Sequence, residues 1–206
     1  MCFAFEEGMT RFVLFFILIF VSTFVHAQQE WVLKKEKNGI FVYSLKTDSS
    51  AFNSIKVETE AKGTIAKFIS IIKDVEGHNQ WAYGTRTATV LKRVSQNEII
   101  FYKEIESPGP VSDRDMIINL KVIGNDPNSV KIESVALPDY IPRKDNFVRV
   151  PMSSETWVVT RSGQKIKIKY FLKVDPGGTL SPFLVNLFST KGPYESFENL
   201  KSLLEK

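Results

Sequence analysis

The sequence DPGGTLSPFLVNLFSTKGPYESFENLKSLLEK, residues 175–206, ends the chain and requires the rest of it to supply a large apolar surface. Its first four residues, Asp175-Pro176-Gly177-Gly178, form a turn cluster that ends the preceding element. Thr179 or Ser181 can cap a helix, and Pro182 suits the first turn of that helix. From Pro182 onward such a helix would be roughly 38 Å long at about 1.5 Å per residue.

One face of this predicted helix is apolar along its length. The residues that recur at helical spacing are Leu180, Phe183, Leu184, Leu187, Phe188, Phe197, Leu200, Leu203 and Leu204. Gly192-Pro193 interrupts the pattern and predicts a kink or a short break at that point. Because an apolar face of this length must be buried, we expect the preceding chain to form a curved sheet that receives the helix.

Alternation of apolar and polar residues predicts a series of β-strands before this helix. The predicted strands are residues 40–46, 55–61, 85–94, 98–106, 115–123, 129–137, 146–150, 155–161 and 165–174. Residues 65–74 have the spacing of a short amphipathic helix, and residues 31–37 suggest another one. A long antiparallel meander followed by one long helix is an α+β pattern, with the helix on one face of the sheet.

The beginning of the chain has the pattern of a secretory signal peptide. Residues 12–25 form an apolar run with two polar members, Arg11 precedes the run, and the small residue Ala27 follows it. We therefore predict that residues 1–27 are cleaved off, which leaves residues 28–206 as one domain in the periplasm or outside the cell. An uncleaved N-terminal anchor is the alternative, although the run is shorter than the roughly 20 residues of a spanning helix.

The composition excludes several classes of site. The only cysteine, Cys2, lies in the predicted leader, so the mature chain has neither a disulfide nor a cysteine metal site. A net charge of +4 falls short of the basic footprint of a nucleic-acid-binding protein. His78 is the one histidine beyond the leader and has no companion ligand. We therefore predict an exposed loop histidine, no metal, no cofactor and no catalytic constellation.

A set of residues in a fixed order carries a resemblance to a known family. They are Asn38-Gly39-Ile40, Val42-Tyr43, Asp74, Trp81, Pro108, Pro110, Arg114-Asp115, Val148-Arg149, Trp157, Asp175-Pro176, Gly178, Pro182 and Leu184-Val185-Asn186. In this order and spacing the chain resembles a START domain, the steroidogenic-acute-regulatory-protein-related lipid-transfer module of the Bet v 1-like (helix-grip, SRPBCC) superfamily. The resemblance covers about residues 31–206.

The resemblance implies a helix-grip fold, in which a curved antiparallel β-sheet wraps around the long C-terminal α-helix. It also implies a hydrophobic tunnel that binds one lipid, sterol or other apolar molecule, with loop 107–113 near the entrance. Sterol-binding members are thought to use a buried acid, which corresponds to Glu104, and an arginine, whose position is Leu120 here. That departure weakens a sterol assignment and makes this part of the tunnel more apolar.

The ligand-binding residues are predicted from the resemblance and from the apolar patterns together. They are Tyr102, Glu104, Met116, Ile118, Leu120, Trp157, Phe183, Leu184, Leu187 and Phe188. The apolar members can equally be core contacts beneath the helix. Glu104 can equally belong to a structural ion pair or a solvated face. Arg114-Asp115 can form a salt bridge that fixes the start of a strand, or it can orient a polar ligand head.

These patterns predict an exported, monomeric, non-enzymatic protein that binds or transfers a lipid or another hydrophobic small molecule in an internal tunnel. A polyketide cyclase or aromatase that uses the same cavity is the alternative from within the superfamily, and a ligand-free partner-binding module is a third hypothesis. The lysines at 165, 167, 169 and 173 predict a solvated outer face, with transient contact at a membrane surface as its alternative. No nucleic-acid partner is expected.

Overall fold

Ten strands form one sheet in the computed structural model, which describes residues 30–107, 109 and 111–206. Their bounds are β1 Val32–Lys37, β2 Ile40–Leu45, β3 Ser54–Lys62, β4 Thr85–Ser95, β5 Glu98–Ile105, β6 Arg114–Asp126, β7 Ser129–Ala136, β8 Val148–Arg149, β9 Met152–Ser162 and β10 Lys165–Asp175. The predicted signal peptide, residues 1–27, lies outside the described residues, as do Pro108 and Pro110 of the predicted entrance loop.

The strands follow the order β1-β2-β3-β10-β9-β7-β6-β5-β4 across the sheet. Every neighbouring pair on this path is antiparallel, and β8 pairs in parallel with the start of β6. The last strand thus lies between the first three strands and the meander. The sheet is curved and its concave face receives the C-terminal helix, which confirms the predicted α+β helix-grip fold.

Three α-helices complete the described part of the fold, namely α1 Ile65–Lys73, α2 Pro182–Phe188 and α3 Lys191–Glu205. α1 begins where the Thr64 hydroxyl accepts a hydrogen bond from the backbone N–H of Lys67 at 3.1 Å, an arrangement typical of an N-cap. A 3₁₀ helix, Glu76–Gln80, follows it. α1 connects β3 to β4 and so leads the chain from one arm of the sheet to the opposite edge.

The C-terminal stretch forms two helices, and the break between them lies earlier than predicted. α2 ends at Phe188 and α3 begins at Lys191, whereas Gly192-Pro193 lies in the first turn of α3. In a first turn the missing N–H of proline leaves no helical hydrogen bond unmade, so the pair does not interrupt the helix. A Cβ on Gly192 would lie 3.1 Å from the ring of Tyr83, so glycine permits this close approach.

Residues 31–37 were predicted to form a short helix, and this prediction is wrong because β1 occupies most of this stretch. β1 and β2 form a hairpin across Asn38 and Gly39, whose φ angles are +54° and +70°. Two successive left-handed residues are typical of a two-residue hairpin turn that matches the twist of the flanking strands. The backbone hydrogen bonds to β2 override a helical spacing that extends over only a few residues.

Trp157 lies at the centre of the core on the concave face. Its ring stacks on Phe197 of α3, with 5.4 Å between centroids and 20° between the planes. Tyr170 on β10 lies 4.2 Å from it, and Phe68 of α1 lies 5.6 Å away. Trp81, which follows the 3₁₀ helix, packs edge-on against the same ring at 6.2 Å. One side chain therefore joins two helices and a loop to the sheet.

His78 is buried, so the prediction of an exposed loop histidine is wrong. The residue is only 5% exposed, and its ring packs edge-on against Trp81 and Phe101, at 5.3 Å from each. Its Nε2 lies 2.8 Å from the carbonyl oxygen of Ile72. Because a carbonyl can only accept, Nε2 carries the proton. Burial, and secondarily the positive charge of Lys103, lower the pKa of His78 to about 4.

We predict that this histidine makes the protein less stable in mild acid. Its pKa of about 4 in the folded chain lies below the value of about 6.5 in an unfolded chain, so the unfolded state binds the proton first and stability falls as pH drops through this window. Between pH 7.5 and pH 5 the loss should be about 2 kcal/mol. Urea unfolding at the two pH values measures it.

The matched control is His78→Gln, which keeps an N–H donor and removes the titration. The pH-dependent loss attributed to His78 should be absent in this variant, and contributions from carboxyl groups should remain in both proteins and cancel in the comparison. An equal loss in the variant and in the natural protein would contradict the assignment.

Candidate functional site

The concave face of the sheet is sealed in one half and partly open in the other. Val57, Val159, Ile166 and Ile168, in the half that carries α3, are closed to solvent. The inward-facing Ala136, Leu172 and Val174, further from α3, pack against the same core but are only half-buried. α3 therefore covers part of the apolar wall and leaves the remainder to other segments.

The bridging segment, residues 178–188 between β10 and α3, starts at the arm of the sheet formed by β6 and β8. A Cβ on Gly178 would lie 3.5 Å from Val148 on β8 and 3.8 Å from the guanidinium of Arg114 on β6. The neighbouring Gly177 is similarly close to the backbone carbonyl of Arg149, at 3.1 Å. Both glycines have positive φ angles, of +69° and +72°. The chain therefore turns tightly against this arm.

The bridging segment reaches the opposite arm of the sheet through Asn186 of α2. The Asn186 side chain accepts a hydrogen bond from the backbone N–H of Asn53 at 2.9 Å and donates one to the carbonyl of Ala51 at 3.0 Å. Asn53 directly precedes β3, which is separated from β6 by three strands. The bridging segment thus runs from the arm formed by β6 and β8 to the loop that precedes β3.

Loop 107–113, predicted to lie at a tunnel entrance, is fixed at both of its ends. Asp113 accepts a hydrogen bond from the backbone N–H of Ser107 at 2.9 Å and one from Arg86 at 2.6 Å. These two bonds lower the pKa of Asp113, so its carboxylate is ionised at neutral pH. Arg114 donates to the Ser107 hydroxyl at 3.2 Å, while its buried Nε has no hydrogen-bond partner among the described residues.

Three polar side chains lie on the same wall as the apolar ones. Lys103 on β5 lies two residues after Phe101, which faces inward, and therefore lies on the same face of the strand. Glu155 on β9 shares the inward phase of Trp157, and Tyr170 pairs directly with Trp157 from β10. Tyr170 and Glu155 influence each other's ionisation, and Glu155 and Lys103 attract each other electrostatically. We call these three residues the inner polar group.

Burial controls the ionisation of the inner polar group. It is the main cause that lowers the pKa of Lys103 and raises the pKa of Glu155, and the attraction between the two opposes each shift. The pKa of Tyr170 is raised well above its usual value, first by burial and then by the charge of Glu155. Lys103 and Glu155 nevertheless remain partly exposed to solvent. Both groups are thus surrounded mostly by protein and keep some contact with solvent.

Four of the ten predicted ligand-binding residues are buried on the inner face. They are Met116, Ile118, Leu120 and Trp157. Phe183 of α2 is 72% exposed, so it does not lie against the sheet. The side chains of Leu184, Leu187 and Phe188 lie outside what the structure describes. A ligand-binding role for these residues stays a prediction.

Tyr102 and Glu104 face away from the concave side, so their predicted inward orientation is wrong. Tyr102 pairs with Ile117 in a separate small cluster on the outer face. The Glu104 carboxylate accepts a hydrogen bond from Lys144 at 3.0 Å, and Lys144 also lies over the Tyr102 ring at 4.1 Å. The ion pair considered for Glu104 in the sequence is therefore formed, on the outer side of the sheet.

Sequence reasoning missed Lys103 and Glu155 for different reasons. β5 carries apolar residues on both of its faces, so the pattern does not reveal whether Phe101 or Tyr102 faces inward, and it gives no orientation for Lys103. Glu155 lies two residues before Trp157, and this spacing on a strand does assign it to the same face as the tryptophan. That signal was available in the sequence.

Asp115 pairs with Arg149 rather than with the adjacent Arg114. Two hydrogen bonds, of 2.8 and 2.9 Å, join the guanidinium to both carboxylate oxygens, and both side chains are 1% exposed. The remaining guanidinium hydrogens are donated to backbone carbonyls that include those of Pro138 and Ile141. A buried pair with its donors satisfied in this way holds the chain after β7 against the outer face, which is a structural role.

The predicted lysine row is exposed and lies beside an open groove of about 460 Å³ on the outer face. Lys167 pairs with Glu60 at 3.4 Å, and Lys169 pairs with Glu58 at 3.7 Å, so acidic residues lie between the lysines of the row.

Within the described part of the chain, no three His, Cys, Asp or Glu residues are grouped as metal ligands would be. No helix of that part is long and apolar enough to cross a membrane.

The chain is similar to proteins from bacteria and from animals. It is 27% identical over 179 residues to an uncharacterized protein of Pseudomonas aeruginosa, which covers 86% of this chain and 88% of that protein. It is 24% identical over 170 residues to the phosphatidylcholine transfer protein of Mus musculus, covering 79% of this chain and 78% of that protein. The solved StAR-related lipid transfer protein of Xanthomonas axonopodis matches with a TM-score of 0.79 at 24% identity, covering 84% of this chain and 98% of that one.

The description of one protein family matches nearly the whole chain. Residues 18–206 fit the model of the START domain family. The same residues include the curved antiparallel sheet, the bridging segment and the C-terminal helix described above. The chain therefore belongs to the START domain family.

Proposed function

We propose that the protein binds one lipid, or another hydrophobic small molecule, between the concave face of the sheet and the bridging segment. The proposal rests on the half of the apolar wall that α3 leaves uncovered. There the inward-facing side chains of Ala136, Leu172 and Val174 are only half-buried. Affinity would come from removing apolar ligand surface from water, at about 25 cal/mol per Å² before ordering costs are subtracted. The name of the mouse relative, a phosphatidylcholine transfer protein, supports the same function class.

The C-terminal helix α3 is held along its length and does not open in this proposal. Glu198 accepts hydrogen bonds from Tyr194 and from Asn38 in the β1–β2 turn, both at 2.9 Å. Lys201 donates to the backbone carbonyl of Asn38 at 3.1 Å. Gly63 leaves room for the last turn, because a Cβ there would lie 3.2 Å from the carbonyl of Leu204. These contacts continue from the middle of α3 to its end.

The short helix α2 is the element that we expect to move. Its described hydrogen bonds to the rest of the protein are the two made by the side chain of Asn186, and Phe183 on the same helix faces solvent. The break at Ser189 and Thr190 separates α2 from α3, so α2 can swing without disturbing the stacked aromatic core. A ligand enclosed behind α2 has no path out until such a movement occurs.

We predict that Asn186→Ala accelerates ligand release by roughly tenfold, because it removes two hydrogen bonds that each contribute about 0.5–1.5 kcal/mol to the closed state. Transfer of a fluorescent lipid from the protein to acceptor vesicles, followed by stopped-flow fluorescence, measures the rate. Asn79→Ala, at an exposed position in the 3₁₀ helix, is the matched control and should leave the rate unchanged. An unchanged rate in Asn186→Ala would show that another element opens.

The proposed function is tested by native mass spectrometry of the protein purified after expression of the full chain and exposure to a total lipid extract. We predict an adduct of one lipid per protein chain. We also propose that the protein is a monomer and that it contacts membranes only transiently.

We further propose that the protein is exported, and the intact mass should then correspond to a chain that begins at Gln28. The absence of any lipid adduct would contradict the binding function, and a retained leader would contradict cleavage.

The inner polar group is the observation that favours a second candidate function. Lys103, Glu155 and Tyr170 on an otherwise apolar wall could act on a reactive chain, as in the polyketide cyclases and aromatases to which the superfamily resemblance extends. A carrier returns its ligand chemically unchanged, whereas an enzyme of this class alters its bonding. Extraction of the bound molecule and comparison of its mass with the free compound separates the two candidates.

A further inference from the structure

We propose that Lys103 makes the internal site selective for amphiphiles whose polar end is an acidic oxyanion, either a carboxylate or a phosphate. This inference rests on the proposed function, because it names the class of molecule that the same site accepts. Lys103 would select the polar end of the ligand, whereas the apolar wall would determine the length and number of the acyl chains that fit.

The side chain of Lys103 projects from β5 toward the concave side of the sheet. β5 lies between β4 and β6 in the sheet, so its backbone is covered on both sides. Across the strands Lys103 is opposite Met116 and Ala88, both of which are buried in the main core. The lysine is nevertheless partly exposed. Its accessible part therefore faces the concave side.

The ammonium group of Lys103 has unused donor capacity. Among the described residues, Glu155 attracts it, and none forms a hydrogen bond or a close ion pair with it. The ionisation of Glu155 is itself influenced by Tyr170. An ammonium carries three N–H donors and no acceptor, so a ligand that completes this site must present acceptor oxygens.

A buried cation discriminates strongly between ligands that pair with it and ligands that do not. A charged hydrogen bond contributes about 1.5–3 kcal/mol, and a neutral apolar end placed against Lys103 would exclude water from the ammonium without supplying that bond. A carboxylate and a phosphate both satisfy a single ammonium, because lysine acts as a point charge without the planar geometry of arginine. Sterols and neutral glycerides lack such a group and should bind less well.

The charges inside the site can balance when an acidic ligand binds. The ligand pairs with Lys103, and Glu155, whose pKa burial already raises, can take up a proton and become neutral. The interior then holds one cation and one anion in addition to neutral groups. No further counter-ion is required from outside the protein.

The test uses two pairs of ligands that differ only in the acidic group. One pair is palmitate and hexadecanol, and the other is phosphatidic acid and diacylglycerol with the same acyl chains. Competition within each pair for the full-length expressed protein is read by native mass spectrometry. We expect the acidic member of at least one pair to bind about tenfold or more tightly than its neutral partner, and the pair that shows this identifies carboxylate or phosphate as the recognised group.

Three variants assign the preference to Lys103. Lys103→Met should abolish the preference while binding of the neutral partner is retained, and Lys103→Arg should keep the preference because it keeps the cation. Lys169→Met makes the same substitution on the exposed outer face and should change nothing. Thermal unfolding of each variant confirms that the fold is intact, and Lys103→Arg keeps the test decisive if Lys103→Met does not fold.

The outcomes separate this inference from the proposed function. Equal binding within both pairs, or a preference that survives in Lys103→Met, would overturn the inference while lipid binding stands. A loss of the preference in Lys103→Arg that equals the loss in Lys103→Met would also overturn it, since the charge would then not be the determinant. If no lipid of either pair and none from the total extract binds, the proposed function itself fails.

Discussion

The stacking of Phe197 on Trp157 is the contact on which the rest of the structure depends, because it fixes the C-terminal helix over the concave face. With 15 residues, α3 is only about 22 Å long and seals one half of that face. The apolar wall of the other half, which includes Ala136, Leu172 and Val174, is only half-buried. α3 closes one half of the concave face, and only the short bridging segment remains to close the other half. This arrangement suits a ligand site that opens when the bridging segment moves.

Local patterns in the sequence predicted the strands well and the long-range arrangement less directly. The alternation in residues 55–61 and 165–174 predicts two strands. Their pairing with each other joins the start of the domain to its end, and periodicity alone cannot reveal such a pairing. β1 was missed because six residues are too few to separate two periods. The helix break was misplaced because proline is tolerated in a first turn.

The candidate site was predicted in its apolar part and missed in its polar part. The sequence predicts that Met116, Ile118 and Leu120 face inward together, because every second residue from Met116 to Val122 is apolar. β5 offers no such guidance, so Tyr102 and Glu104 were assigned inward and Lys103 was not considered. The interior therefore lacks an arginine at position 120 but gains a lysine on the neighbouring strand, an exchange that only the strand register reveals.

The proposed ligand lies between the bridging segment and the inward-facing residues of β6, namely Met116, Ile118 and Leu120. Nuclear Overhauser effects between the acyl protons of a bound lipid and labelled methyl groups of the protein report on this position. We expect contacts to Met116, Ile118 and Leu120 and none to Ile117, which lies on the same strand and faces outward. Contacts to Ile117 in place of its inward-facing neighbours would contradict this position.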